Sequence, residues 1–483
     1  WWTPVLLSGL LFVLLQTLEN AGIVAAFYGL FMLGAVLLIA KPKIGIMYYI
    51  SVCVLSTDTP LIDAPAPLVS IHTVGIGSMA LMPLWTSLLL GFLILYLLKS
   101  GPVTYNKQFG KIMLHLGVLF LIAAAIGSLN LFHAPRIYIS DASYYINMAA
   151  AYLAIRIFFR QEKDFRLLIS IFVSCLAVRA IAGIVFYFLG IGELAPHLVK
   201  PVMDSSRNLF PLLVLLGFAM YYTHGIRTDV QKLLMFFTFA GIFNVLTYAS
   251  RGNMFLLAFG LLLLFLLLRD PREHSLELLR KITRLFLPTV CLVVATLFVM
   301  HYLRPGSISY IVWKISSTIE IGDAAPLSSA NIRWFELQNI IAHLWNNGNI
   351  LWGEGLGGYF TDDYKPYAMY LLDGASYSND WILSGTLYKP HGTQLVVLLK
   401  TGVVGVIVYF SLLLVFFIRS WKEVKKEITP YWLAILASCV AFSPLLYYKN
   451  FNSKLQISMG IIMAIIVNIV TLRQQKAGRA GNK

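Results

Sequence analysis

GTLYKPHGTQLVVLLKTGVVGVIVYF occupies residues 385–410. A single histidine, His391, closes a polar approach, and a mostly apolar run of membrane-spanning length follows it, since a bilayer takes about 20 residues of helix. Lys400 lies about two and a half turns inside that run. The placement of a titratable ring at the mouth of a membrane helix turns on which side of the membrane that mouth faces and on what lies beside it.

The rest of the chain repeats the apolar pattern. It has 483 residues, of which 59% are hydrophobic and 12% charged, with a mean hydropathy of +0.77. A soluble domain carries about 25% charged residues, so this chain lacks the polar surface to cover itself. The fold class it predicts is an all-α polytopic membrane protein, because the apolar runs are of helical length and not the short alternating segments of a barrel. About 14 transmembrane helices are expected, near 3–18, 21–40, 43–56, 79–98, 111–130, 142–159, 167–190, 209–223, 231–249, 252–268, 285–303, 393–418, 430–447 and 455–472. The four cysteines, Cys53, Cys175, Cys291 and Cys439, all fall inside such runs, so neither a disulfide framework nor a zinc site is indicated.

The net charge of +15 invites a nucleic-acid reading, but the basic residues stand in short segments between apolar runs, with no long basic tract. They read as topology signals and as attraction to an anionic partner at the membrane. With the N-terminus inside, the inner segments hold about 24 Lys and Arg and the outer ones about 11, a bias of the expected sign. Both termini are then cytoplasmic and His391 lies on the outer face. The same face carries one long loop, about 304–391, and loops of that length are usually functional or partly folded.

Within this loop SSANIRWFELQNIIAHLWNNGN, residues 328–349, predicts a helix capped by Ser328 or Ser329 and ended by Gly348. Ile332, Phe335, Ile340 and Leu344 supply one apolar face; Trp334, Leu337, Ile341 and Trp345 supply another. Such a helix lies on the membrane surface or packs into the bundle. Arg333 stands in its first turn, where the helix dipole disfavours a cation, which favours an anion-binding role over a merely solvated one. LWGEGLGGYF, residues 351–360, follows. Gly353, Gly355 and Gly358 match GxGxxG, but the strand and βαβ unit of a dinucleotide site are missing. Gly353, Gly355, Gly357 and Gly358 are read as turn-forming backbone, in a position to approach a phosphate.

Three further cations are out of place. Arg251, in TYASRGNMF, falls in a tight outer turn on the side that the charge rule disfavours; it is an anion ligand or a snorkelling interfacial residue. Arg179 lies near the middle of its span and needs a polar cavity or a partner. Lys400 shares that need, and a carboxylate or backbone carbonyls would meet it.

The Ser-Arg-Gly turn at 250–252, the Arg-Trp helix, the GEGLGG stretch and HGTQLVVLLKTGVVG occur in this order. The set resembles the O-antigen ligase and O-antigen polymerase superfamily of bacterial envelope glycosyltransferases, through His391, Gly392, Leu395, Leu398, Gly402 and Gly405 above all. This chain has Gly392 where the family often has asparagine or serine, and Lys400 where an acidic residue often stands. The resemblance covers 250–410, and the remainder only as apolar helices. It implies a GT-C-type enzyme of the inner membrane that takes a glycan from undecaprenyl diphosphate and passes it to a glycan hydroxyl or to lipid A-core. It also implies that Arg251 and Arg333 hold the diphosphate and that His391 acts on the acceptor, with Arg179 and Lys400 as further candidate diphosphate ligands. The chain then divides into helices 1–11 over 1–303, an extracytoplasmic catalytic loop over 304–391, helices 12–14 over 392–472 and a basic cytoplasmic tail over 473–483.

The chemistry stands independently of the resemblance. Two arginines can neutralise a departing diphosphate through charge-assisted hydrogen bonds, and a histidine can take the acceptor's proton near neutral pH. No nucleotide, metal or other cofactor is expected, although adjacent Asp362 and Asp363 leave a metal as an alternative to the arginines. His391 can equally anchor the loop to its helix. The expected partners are the lipid-linked donor, the glycan or lipid acceptor and membrane lipids, with no nucleic acid. A lipid-linked-oligosaccharide flippase is the rival reading; it predicts two similar halves, which the sequence does not have. A symporter would place acidic residues inside the spans, which hold almost none.

Overall fold

The structure is a computed structural model and describes residues 2–56, 71, 74–76, 79–100, 107–190, 193–195, 198–199, 209–224, 229–247, 251–268, 275–316, 329–366, 379–425 and 453–480. These residues are overwhelmingly helical. The first half holds α1 Trp2–Ala21, α2 Val24–Ala40, α3 Pro42–Leu55, α4 Leu81–Ser100, α5 Lys107–Ile126, the short α6 Asn130–His133, α7 Pro135–Phe158 and α8 Glu162–Phe188. The second half holds α9 Phe210–His224, α10 Asp229–Thr247, α11 Arg251–Leu268, α12 Ser275–Leu303, α13 Ser307–Ser316, α14 Ser329–Asn346, α15 Asn379–Ser384, α16 Thr393–Lys425 and α17 Ser453–Ala480. Two-stranded ribbons, Gly75–Ile76 with Met79–Ala80 and Glu193–Ala195 with Leu198–Val199, are the only sheets among the described residues.

Among the described residues, five helical stretches are long and apolar enough to cross a membrane, Leu81–Lys99, Phe109–His133 (running from α5 into α6), Glu162–Phe188, Thr393–Glu423 and Lys454–Gln475, and seven shorter apolar segments accompany them. Every expected span falls on a helix except 430–447, which lies outside the described residues. Large apolar side chains such as Leu10, Ile39, Leu98 and Phe298 are exposed along these helices. Water would not tolerate so much apolar surface; lipid accepts it, and the chain is a membrane protein.

Close helix contacts are made where side chains are small. Gly460 of α17 lies against Met148 of α7, and a Cβ there would come within 2.4 Å of the Met148 carbonyl oxygen. Farther along the same parallel pair, the Asn468 amide donates to the carbonyls of Ile155 (3.1 Å) and Phe159 (2.7 Å).

The feature that positions the loop is a break in α16. Gly402 has φ 65° and ψ −171°, which no helix contains. In an unbroken helix Val403 and Val404 would donate to the carbonyls of Leu399 and Lys400. Instead they donate to Ile350 (3.0 Å) and Leu351 (3.2 Å), while Glu354 and Gly355 donate to Leu399 (2.8 Å) and Lys400 (3.1 Å). The 350–355 segment therefore fills the break and replaces two intrahelical bonds with four to the loop. Irregular backbone inside a membrane protein is tolerated when its polar groups are satisfied in this way. Gly402 lies nine residues past Thr393, about 14 Å along the helix, so this part of the expected outer loop reaches well below the end of α16.

Candidate functional site

α14 forms as the sequence predicts, and Gly348 ends it with φ 71°. The Asn349 N–H closes back on the Leu344 carbonyl at 2.8 Å, the six-to-one bond of a Schellman end. Along its buried face run Glu336, Ile340 and Leu344, spaced four residues apart. The two apolar residues pack with Phe360, Leu387, Leu395, Leu398 and Leu399, which joins α14 to the first half of α16. Trp334, Ile341 and Trp345 are exposed on the other side. One helix thus packs into the bundle and also presents a tryptophan-bearing apolar face, as interfacial helices do.

Glu336 belongs to the packed face and is fully buried. Its carboxylate accepts the backbone N–H of His391 (2.9 Å to Oε2, 3.1 Å to Oε1), and Oε1 lies 2.6 Å from His391 Nδ1. Glu336 is 0% exposed and the histidine side chain 22%. An ionised carboxylate only accepts, so against one Nδ1 would carry the proton and Nε2 of the neutral ring would keep its lone pair. Backbone and ring of His391 are thus both held by one carboxylate at the start of α16. Arg333 lies one turn before Glu336, three residues away, which puts it on a neighbouring part of the same face. It is half-buried. The structure therefore ties His391 to α14 through Glu336, a residue one turn from Arg333 that the sequence reading passed over. Its signal was present: a glutamate in register with Ile340 and Leu344 on the buried stripe.

Two turns farther along α14, His343 accepts from the Asn347 amide at 3.1 Å through Nε2, which lies 3.6 Å from Glu354 Oε1. Asn347 and Asn349 both donate to that carboxylate at 3.2 Å. Burial holds the His343 pKa below the ordinary histidine value, against the opposing pull of Glu354 and Asp363. Beside His391, the Lys389 ammonium donates to Ser140 (2.8 Å) and Tyr144 (3.3 Å). Burial alone would lower its pKa; Tyr144 and Asp141 outweigh that effect and raise it, so Lys389, two residues before the histidine, is a cation that the sequence reading missed.

The remaining expected residues fall elsewhere. Lys400 is 1% exposed and donates to Asp141 (2.8 Å) and to the Gly358 carbonyl (2.6 Å), the carboxylate-and-carbonyl pairing that its depth calls for. It braces the glycine-rich loop and offers no open cation to a diphosphate. Gly353, Gly355 and Gly357 have φ of 74°, 72° and 75°, while Gly358 is not left-handed. The expected approach of this backbone to a phosphate is not what the loop provides. The N–H groups of Glu354 and Gly355 are bound to α16, that of Leu356 to the Ala123 carbonyl (3.0 Å), that of Gly357 to Asp141 (2.9 Å) and that of Gly358 to Gly355 (3.2 Å).

Arg179 is buried, its guanidinium 3.5 Å from the Leu55 carbonyl at the end of α3 and 5.5 Å from the Phe12 ring centre. Lys454 donates to the next carbonyl, that of Ser56. The negative end of α3 therefore draws both cations. Arg251 is the first residue of α11; its side chain lies outside the described residues. Asp362 is buried and Asp363 exposed, so the pair does not present two carboxylates to one point. Among known proteins, no family model matches the chain, and no curated sequence matches it either.

Proposed function

We propose that the protein is a membrane glycosyltransferase of the O-antigen polymerase or ligase type, acting at the outer face of a bacterial inner membrane. In this reading the chain crosses the membrane about 14 times, both termini are cytoplasmic and α14 lies at the periplasmic surface. The donor is a glycan on undecaprenyl diphosphate; the acceptor is a hydroxyl of a second glycan or of lipid A-core. The observation that carries the reading is the His391–Glu336 pair, with Arg333 one turn from Glu336 on the same helix.

In the proposed reaction, His391 Nε2 takes the proton of the acceptor hydroxyl as its oxygen attacks the anomeric carbon. The bond from that carbon to the diphosphate oxygen breaks, and its electron pair leaves on the diphosphate. Arg333, joined by Arg251, neutralises the developing charge with two parallel N–H bonds, a geometry that lysine lacks. Attack opposite the leaving group inverts the anomeric centre. The roles need no nucleotide or metal. Glu336 keeps Nδ1 occupied, as the carboxylate of a hydrolytic triad does.

Analysis of surface polysaccharide in a deletion strain tests the reading. Loss of a polymerase leaves single repeats on the lipid carrier; loss of a ligase leaves long chains there. A strain with unchanged polysaccharide and lipid-linked intermediates would overturn both.

A further inference from the structure

The segment before His391 pairs with the segment after the glycine-rich loop. Phe360 and Leu387 exchange two backbone bonds, at 3.0 and 2.9 Å, and both side chains are buried against α14 and α16. Successive residues of extended chain point to opposite sides. Tyr359 and Tyr388, each the neighbour of a bridged residue, are therefore sent outward together, and their ring centres lie 6.0 Å apart. Trp381 continues the row 5.4 Å from Tyr388, and His343 ends it 5.5 Å from Tyr359. Tyr359 is 40% exposed, and Tyr388 and Trp381 are half-buried. Neighbouring rings are tilted by 57° to 59°, so they do not cover one another's faces as stacked rings would.

We propose that the row Trp381–Tyr388–Tyr359–His343 is a subsite for a sugar ring of the glycan, distinct from the cationic end of the site. The proposal rests on the glycosyl-transfer reading above. The face of a pyranose presents C–H groups of slight positive charge, which suit the negative face of an aromatic ring. Its edge presents hydroxyls, and Glu354 with its bound Asn347 and Asn349 stands beside the row. The charges around the two ends of α14 differ. Arg333, one turn from Glu336 on α14, and Lys389, two residues before His391, bring cations to the end that holds the Glu336 carboxylate, whereas at the other end Glu354 and the exposed Asp363 act on His343, and these carboxylates would repel a phosphate. A neutral, hydroxyl-rich ring fits the second end, and the diphosphate fits the first. Glu336 and His343 are seven residues apart, two turns and about 10 Å along one face of α14, so a glycan whose reacting end lies at His391 runs directly over the row.

The test uses full-length protein in lipid nanodiscs and short oligosaccharides cut from the surface polysaccharide of the producing strain. Saturation-transfer NMR reports which sugar protons touch the protein. Wild type is expected to transfer saturation to ring C–H protons. Tyr359→Ala and Tyr388→Ala should each weaken binding roughly tenfold, the scale of losing one stacked ring. Tyr359→Phe and Tyr388→Phe keep the ring and the fold and should bind nearly as wild type. His391→Ala should retain binding. Binding that survives where no transfer is found leaves the subsite standing and removes only the enzymatic reading. A wild type that binds no oligosaccharide, or alanine variants that bind as wild type, would overturn the subsite even in an active enzyme.

Discussion

Asp141 of α7 and Lys400 of α16 form an ion pair of 2.8 Å that is almost completely buried. The same carboxylate accepts the Gly357 N–H and the same ammonium donates to Gly358, so the pair clamps the loop that fills the break in α16. Removing one partner leaves an uncompensated buried charge, which costs about 3–5 kcal/mol. Lys400→Met should therefore unfold well below wild type in a thermal-stability assay of purified protein. Lys400→Met combined with Asp141→Asn removes both charges and keeps an acceptor for Gly357, and should recover much of the loss. A Lys400→Met protein as stable as wild type would show that the clamp contributes nothing.

Gly355 and Gly348 share the left-handed backbone, at φ 72° and 71°, but not the same surroundings. A Cβ on Gly355 would sit 2.1 Å from the Gly127 nitrogen and 2.4 Å from its Cα, whereas one on Gly348 meets nothing within 4 Å. Gly348→Ala should cost only the conformational strain, about 1 kcal/mol. Gly355→Ala drives backbone into backbone, where neither side can yield, and should give no monodisperse protein by size exclusion. Equal behaviour of the two variants would contradict the packing of the loop against Gly127, just past the end of α5.

His343 gives the protein a pH-dependent element. Burial lowers its pKa in the folded state, so the folded chain binds fewer protons there than the unfolded chain. The sign follows: this contribution to stability is present above the ordinary histidine value of about 6.5 and is lost as pH falls through the lowered value. Protonation would also remove the Nε2 lone pair that accepts from Asn347. Thermal midpoints of His343→Gln, measured across this window, should depend less on pH than those of wild type. Parallel curves for the two proteins would remove His343 as the source.

How much of this was legible in the sequence differs from part to part. α14 was, because its signals are local: Ser329 begins it, apolar residues recur at helical spacing and Gly348 ends it. The joining of α14 to His391 was only half legible. The residue that joins them, Glu336, stands in the quoted helix, but a glutamate on an apolar stripe shows its purpose only once its partner is known, and His391 is distant in sequence. The break at Gly402 was hidden for a related reason. A glycine in an apolar run is ordinary, and what fills the break arrives from residues 350–355. Lys400 did announce itself as a charge needing a partner. Its partner, Asp141, was out of reach of any reading by periodicity, since it comes from another helix far along the chain.

Glu336 and His391 make the sharpest prediction, because the two reach the same ring by different routes. His391→Ala and His391→Gln should both abolish transfer, since general-base catalysis is worth about 10²- to 10⁴-fold and glutamine cannot carry the proton. Glu336→Gln keeps size and one acceptor but turns an amide N–H toward one of the two donors of His391, its backbone N–H or Nδ1–H. The ring then loses its fixed tautomer, and kcat should fall while KM for the lipid-linked donor changes little. Glu336→Asp keeps the charge on a shorter arm and should recover part of the rate. A purely structural role for Glu336 predicts something else: all three properties, expression, donor binding and rate, decline together, and aspartate rescues none of them selectively. Steady-state kinetics of the Gln and Asp variants in proteoliposomes, beside a thermal-stability measurement of each, separate the two outcomes. A stable Glu336→Gln protein with wild-type kcat would show that the carboxylate does not orient the base.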